Sequence, residues 1–226
     1  TQFNEAYLKL ENVAIVSNGY GMTETCGLSS SALPSDSPEL KAMAGLPLPG
    51  VSMRVVDKDY KIVNSNETGE LLYKGPGLMI GYANLLDGSS GINDDGWFAT
   101  GDLATMNDDG YINIVGRSKE MIIRGGENLY PIEIENYLLE HPGIFEAAVF
   151  GLPDPKYEEE CCAVVRVDST QLDNPEQLRE WCKDRISRWK IPKYIFFTDS
   201  FPITPSGKIQ KYKLQEQYIE QLALKI

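Results

Sequence analysis

The sequence predicts a mixed α/β protein of the α+β kind in two parts: a β-rich part over 1–118 and a smaller α+β part over 119–226. Three observations predict it. The first half is punctuated by glycine and carries short strand candidates around turn residues. The second half alternates strand candidates with segments of helical spacing. The composition changes character at Gly116–Glu120, which places the boundary between Ser118 and Lys119.

In the first part, Val13–Val16 reads as a short strand. Met53–Val56 and Lys61–Val63 flank the turn residues Asp57, Lys58 and Asp59 and read as a hairpin. Glu70–Lys74 alternates weakly and continues the sheet. Trp97–Met106 and Tyr111–Val115 flank Asn107-Asp108-Asp109-Gly110, whose residues favour tight turns. Hairpins at such short spacing suggest a small antiparallel barrel or sheet.

In the second part, Pro131 suits the first position of a helix, where its missing N–H has no partner to lose. Ile134, Tyr137, Leu138 and His141 follow at helical spacing. Ala147–Phe150 and Glu160–Val167 read as strands. Asn174, Pro175 and Gln177 form a helix start of capping-box type. Leu178, Trp181, Cys182, Arg185, Ile186 and Trp189 give that helix its inward stripe, with Arg185 snorkelling. Tyr194–Phe197 reads as a strand and Lys211–Leu224 as a last helix.

Composition narrows the function. With 42% hydrophobic and 24% charged residues the chain is an ordinary soluble type. No apolar run reaches the ~20 residues that cross a bilayer, so no transmembrane segment is expected. Thr1 is followed by polar and mixed sequence, so no signal peptide is expected in this stretch, and because the first residue is not Met any targeting signal is expected to lie upstream. The formal net charge of -12 argues against a nucleic-acid partner, which needs a basic face. From Asp184 to Lys213, however, seven basic residues stand against two acidic ones. A basic tip on an acidic protein suits a small anionic ligand, although any single lysine there reads most simply as part of a solvated helix face. Four cysteines without a CxxC pair suggest reduced thiols of an intracellular protein rather than a disulfide framework or a metal site. Cys161 and Cys162, adjacent in an apolar run, should point to opposite faces of a strand.

Four segments stand out: Gly19-Tyr20-Gly21-Met22-Thr23-Glu24; Asp95-Gly96-Trp97-Phe98-Ala99-Thr100-Gly101-Asp102; Gly116-Arg117-Ser118-Lys119-Glu120 with its sequel Arg124-Gly125-Gly126-Glu127-Asn128; and Pro202-Ile203-Thr204-Pro205-Ser206-Gly207-Lys208-Ile209. Each alone has an ordinary reading as a turn, loop or flexible link. Their order and spacing carry more. Together they resemble the adenylate-forming enzymes: acyl-CoA synthetases, aryl-CoA ligases, luciferases and peptide-synthetase adenylation domains. The resemblance covers nearly all of the chain and looks closest to medium-chain fatty acyl-CoA synthetases.

The resemblance implies a fold, a reaction and a set of roles. Residues 1–118 would be the β-rich end of the large AMP-binding domain, incomplete here. Residues 119–226 would be the small, mobile C-terminal domain, swinging about a hinge at Lys119. A carboxylate attacks the α-phosphate of ATP to give an acyl-adenylate and pyrophosphate, and the thiol of CoA then displaces AMP. Negative charge gathering on the phosphate must be neutralised; Lys208 would meet the substrate carboxylate and the α-phosphate side. Glu24 would hold Mg2+, and Thr23 would hydrogen-bond the α-phosphate. Tyr20, beside Gly21, would stack near the adenine. Asp102 would accept hydrogen bonds from the ribose hydroxyls, and Arg117 would add a permanent cation near the nucleotide. Arg124, Gly125, Gly126 and Glu127 would line the channel for the pantetheine arm of CoA, where bare glycine backbone lets a ligand pass closely.

One departure matters. Relatives carry, upstream of these motifs, a Ser/Thr/Gly-rich phosphate loop ending in lysine. Thr25-Cys26-Gly27-Leu28-Ser29-Ser30-Ser31 follows the Thr-Glu motif and lacks the lysine. The chain is therefore expected to be a piece that completes a longer N-terminal domain and is inactive by itself. The whole protein is expected to join fatty acids, medium-chain ones favoured, to CoA. An aryl-CoA ligase or another adenylating enzyme is one alternative, and a non-catalytic module that binds nucleotide or a partner is another. An intracellular place is expected, mitochondrial or peroxisomal.

Overall fold

The computed structural model describes residues 18–82, 91–183 and 185–224. The candidate strand Val13–Val16 lies outside the described residues. Two compact units divide between Ser118 and Lys119.

The first unit holds two antiparallel sheets. In one, β1 (Gly19–Met22), β2 (Gly27–Ser31) and β3 (Leu46–Pro47) pair in that order, with a 3-10 turn at Thr23–Thr25 joining β1 to β2. Gly21 is required there, because a Cβ on it would lie 2.0 Å from the Gly27 carbonyl oxygen. A short helix, α1 (Pro38–Lys41), starts at Ser37, whose hydroxyl accepts from the Leu40 amide.

The second sheet is a meander of β4 (Ser52–Val56), β5 (Gly69–Lys74), β6 (Phe98–Met106) and β7 (Ile112–Arg117). Met53, Val55, Leu71, Tyr73, Ala104 and Ile112 bury its core face. The β6–β7 turn forms at Asn107–Gly110, where the Asn107 side-chain oxygen accepts from the Asp109 and Tyr111 amides. The hairpin expected between Met53–Val56 and Lys61–Val63 is corrected. Lys61–Val63 forms no strand of its own: it meets the end of β4 through the Val56–Ile62 bridge, with the Asp57 amide donating to the Lys61 carbonyl at 2.8 Å and the Val63 amide to the Val55 carbonyl at 3.1 Å, while β4 pairs along its length with β5. Asp57 caps the amides of Asp59 and Lys61, Tyr60 turns left-handed at φ 60°, and Ile62 is 70% exposed, so of that segment only Val63 packs against the core.

The second unit is built on one mixed sheet. β8 (Ile122–Arg124), β9 (Glu127–Leu129), β10 (Ile144–Asp154) and β11 (Glu158–Val167) run in the order β10-β11-β8-β9, and β12 (Tyr194–Phe197) pairs parallel to β11. Helices cover both faces. On one, α2 (Pro131–Leu138) and α3 (Pro175–Cys182) bury Ile134, Leu138, Leu178 and Cys182 against Cys161, Ala163 and Val165. On the other, α4 (Lys211–Gln221) packs Leu214 and Tyr218 onto Phe150, Cys162 and Val164. Adjacent cysteines thus face opposite ways, as the period of a strand dictates. Burial pushes the Cys161 thiol up to about 12 and the Cys182 thiol up to about 11, so both stay protonated near neutrality.

Element ends differ from the periodicity. Asn174 caps α3 by accepting from the Gln177 amide at 3.1 Å, but the Gln177 side chain returns to the Asp173 amide, one residue before the cap. α3 ends at Cys182 because Lys183 is extended, with ψ 143°. Arg185, Ile186 and Trp189 therefore lie beyond the helix; Trp189 sits in a 3-10 turn over Arg188–Lys190, and the Arg185 guanidinium lies 5.0 Å from the Trp181 ring centroid. His141 likewise falls after α2, and α4 stops at Gln221. The Ala147–Phe150 strand extends to Ile144–Asp154, because its partner β11 offers a continuous antiparallel edge.

Candidate functional site

Tyr20, Asp102 and Arg117 meet in the first unit. Asp102 and Arg117 are register partners across β6 and β7, and Tyr20 arrives from β1. Arg117 Nε stands 3.0 Å from one Asp102 oxygen, and the Tyr20 hydroxyl donates to the other at 2.6 Å. The Asp102 amide donates to Thr100 Oγ1 at 3.1 Å, and that hydroxyl donates to the Leu71 carbonyl at 2.7 Å. Asp102 is 5% exposed while the Arg117 side chain is 55% exposed. The result is a buried carboxylate whose plane is fixed, with lone pairs left for further donors. Burial, then the hydrogen bond to Asp102, raises the Tyr20 phenol well above its ordinary value, so Tyr20 remains a donor. Thr100 is a support that sequence reasoning passed over, although it stands inside the quoted motif.

Thr23 and Glu24 lie in the 3-10 turn after β1, with Thr23 exposed and Glu24 half-buried. Tyr82 donates to Glu24 Oε1 at 2.9 Å, a contact across 58 residues that no sequence pattern signals. The other Glu24 oxygen takes no protein hydrogen bond among the described residues. Among those residues no group of three or more His, Cys, Asp or Glu side chains could hold a metal. A Mg2+ bound through water and phosphate needs only one or two protein carboxylates, and Glu24 fits that demand.

In the second unit, Arg124, Gly125, Gly126 and Glu127 form the β8–β9 hairpin. Gly125 and Gly126 have φ of 60° and 86°, the two left-handed positions of a two-residue turn that only glycine fills without strain. A Cβ on Gly125 would touch Tyr157 and Trp189, whereas one on Gly126 would meet nothing within 4 Å. Glu127 is exposed. Arg124 is committed to holding the hairpin: Nε lies 2.7 Å from Glu160, and a terminal nitrogen donates to the Trp189 carbonyl at 2.6 Å. Arg124 also lines an open basic pocket of ≈ 640 Å³ with Arg179, Lys183, Arg188 and Lys193. Tyr157, Trp189 and Glu160 were not among the expected site residues, since each reaches the hairpin from a distant element.

Lys208 sits on a second hairpin. Ile203 and Ile209 bridge, the Gly207 amide donates to the Thr204 carbonyl at 2.9 Å, and Gly207 takes φ 83°. The Lys208 amide donates to Thr204 Oγ1 at 3.0 Å. The backbone of the turn is thus satisfied internally, while the Lys208 side chain is exposed and forms no ion pair among the described residues. Lys119, also exposed, shares with Lys208 a cleft of ≈ 390 Å³.

Known proteins resemble this chain in sequence and in fold. The family model for the AMP-binding enzyme matches residues 2–83 and that for the AMP-binding enzyme C-terminal domain matches residues 133–208, together more than half of the chain. The mitochondrial medium-chain acyl-CoA ligase ACSF2 of Mus musculus is 41% identical over 208 residues, covering 91% of this chain and 34% of that protein. The ATP-bound structure of MatB from Rhodopseudomonas palustris superposes with a TM-score of 0.80 at 37% identity, over 88% of this chain and 40% of that one. The o-succinylbenzoate CoA synthetase MenE of Bacillus subtilis, in complex with the acyl-adenylate intermediate OSB-AMP, gives a TM-score of 0.81 at 33% identity, again over 88% and 40%. The chain spans about a third of the length of the curated relative and two fifths of each structure. On the motifs, the fold and these matches, the chain belongs to the AMP-binding family of adenylate-forming enzymes.

Proposed function

We propose that the whole protein is an AMP-forming acid–CoA ligase that uses ATP and CoA, with medium-chain fatty acids as its favoured substrates. The observation that carries the reading is the Lys208 hairpin: an exposed ammonium, without an ion pair among the described residues, on a turn whose backbone is satisfied within itself. Such a cation is positioned to neutralise charge that develops elsewhere. Asp102, held by Tyr20 and Arg117, would accept the ribose hydroxyls; the Tyr20 ring would stack on the adenine and Arg117 would face the nucleotide. Thr23 would donate to the α-phosphate and Glu24 would take Mg2+, which shields phosphate charge when bound. Gly125 and Gly126 would line the pantetheine path, with Arg124 fixing the turn and Glu127 at its rim. Lys119 would be the hinge between 1–118, the end of the large domain, and 119–226. The acid preference rests on the similarity to ACSF2, and MenE supports an aromatic acid as the second reading. A mitochondrial place is supported by the name of the same mouse relative.

The test is a pair of half-reactions in the whole protein. Lys208→Ala should lower pyrophosphate exchange with ATP and acid by about 10²–10³-fold, the scale of losing one preorganised donor. Thioester formation from supplied acyl-adenylate should survive. Equal loss in both steps overturns the assignment. A panel of octanoate, palmitate and benzoate then ranks the acids.

A further inference from the structure

Lys211 opens α4 three residues after Lys208, and its placement runs against the helix. A cation in the first turn opposes the positive N-terminal end of the helix dipole, and no acidic residue shares that turn. Its ammonium is instead drawn aside to two carboxylates, Glu135 at 2.8 Å and Glu120 at 2.9 Å. The Lys211 side chain is 21% exposed and that of Glu135 14%. Burial alone would lower the Lys211 ammonium, yet Glu135 and Glu120 outweigh it and hold it above the ordinary lysine value, so it stays charged. Glu135 also accepts the Val149 amide at 2.7 Å, which ties the same carboxylate to β10. Immediately before Lys211, the Gln210 amide donates to the Pro202 carbonyl and closes the base of the Lys208 hairpin. Glu120, at the far side of the knot, follows Lys119.

We propose that Lys211 is a positioning residue for adenylation: its two ion pairs fasten the base of the Lys208 hairpin to α2 and to the segment that follows Lys119. The proposal rests on the role of Lys208 stated above. A partly buried ion triad adds little net stability over an apolar replacement, but it fixes geometry. Misplacement of a reacting group by about 1 Å costs on the order of 10²-fold in rate.

The experiment uses the whole protein and four variants: Lys211→Met, Lys211→Met with Glu135→Gln, Lys211→Arg, and Lys208→Ala as reference. Pyrophosphate exchange, thioester formation from supplied acyl-adenylate and the melting temperature are read for each. Lys211→Met should lower kcat for exchange by about tenfold or more with little change in KM for ATP, leaving the thioester step unchanged. Lys211→Arg should restore most of the rate. The double variant, in which no carboxylate is left buried and unpaired on α2, should keep the native melting temperature and still lose exchange. Exchange unchanged in folded Lys211→Met, or loss of both steps in proportion to melting temperature, overturns the proposal. If Lys208→Ala retains exchange, the role of Lys208 fails instead, and the two failures are told apart.

Discussion

Asp102 and Asp154 are both carboxylates held by a cation, and their surroundings give them different work. Asp102 keeps lone pairs available beside an exposed Arg117. Asp154 is consumed by structure: Lys193 lies 2.7 Å from Oδ2, and Oδ1 accepts the Lys156 and Tyr157 amides at 2.9 and 3.0 Å. These bonds close the β10–β11 turn and tether it to the residue that precedes β12. The Lys193 hydrogen bond, helped by the two amides, draws the Asp154 carboxyl down to about 2. A folded pKa below the unfolded one gives stability that is present above the ordinary carboxylate range and is lost as pH falls through about 2. Asp154→Asn should therefore lower the melting temperature at neutral pH, and the gap to the native protein should narrow between roughly pH 4 and pH 2. Thermal melts across that range check it; a gap that widens on acidification contradicts it. Neither aspartate's role was legible from local pattern alone. Asp102 stood out because its tripeptide falls in order with three other motifs, whereas Asp154 depends on Lys193, which is 39 residues away.

At the scale of elements, long segments with a strong period were readable and short or truncated ones were not. β11 buries a continuous apolar run, Cys161 to Val165, which the sequence exposes directly, and β6 buries every second residue, Phe98, Thr100, Asp102 and Ala104, at the period of a strand. β8 and β9 are three residues each, too short to display a period, and β1 and β2 are rich in glycine and serine. The stripe from Leu178 to Trp189 continued in sequence past the point where Lys183 leaves helical geometry, because Ile186 and Trp189 stay apolar for contacts that are not helical. The β8–β9 turn shows what local chemistry does decide. Gly126 has open space for a side chain but a left-handed backbone, so Gly126→Val is opposed by conformation rather than by collision, at about 1–2 kcal/mol. In the whole protein this change should slow thioester formation at least severalfold while pyrophosphate exchange stays near native. Loss of exchange instead would remove the pantetheine path from this hairpin.

At the scale of the molecule, the two units divide where Ser118 meets Lys119, and each has a core of its own. The second unit buries apolar side chains on both faces of one sheet, with α2 and α3 on one side and α4 on the other. Residues 119–226 expressed alone should consequently melt in one cooperative transition, followed by the fluorescence of Trp181 and Trp189. A broad, non-cooperative change would show that the core needs the first unit. The change of composition near residue 118 was visible in sequence, because a run of hairpin turns gives way to helix caps. The pairing of β12 with β11 was not, since a parallel neighbour is set by a connection rather than by a turn.

The division bears on one last prediction. Lys119 is exposed and stands in the 3-10 turn Ser118–Glu120 that directly follows β7, so its own backbone is the shortest link through which the second unit could reorient. A hinge of this kind absorbs its motion in the φ and ψ of a few residues. Proline at this position would lock φ near −65° and restrict Ser118 as well. A 3-10 turn accommodates φ near −65°, so Lys119→Pro should fold, and on the proposed hinge role it should separate the two half-reactions. Reorientation for the second step would be blocked, so thioester formation should fall by at least about tenfold while exchange stays within about twofold. Lys119→Ala, which removes the charge and leaves the backbone mobile, should retain both steps. If alanine is as damaging as proline, the Lys119 side chain and not its backbone carries the effect, and the hinge assignment is lost.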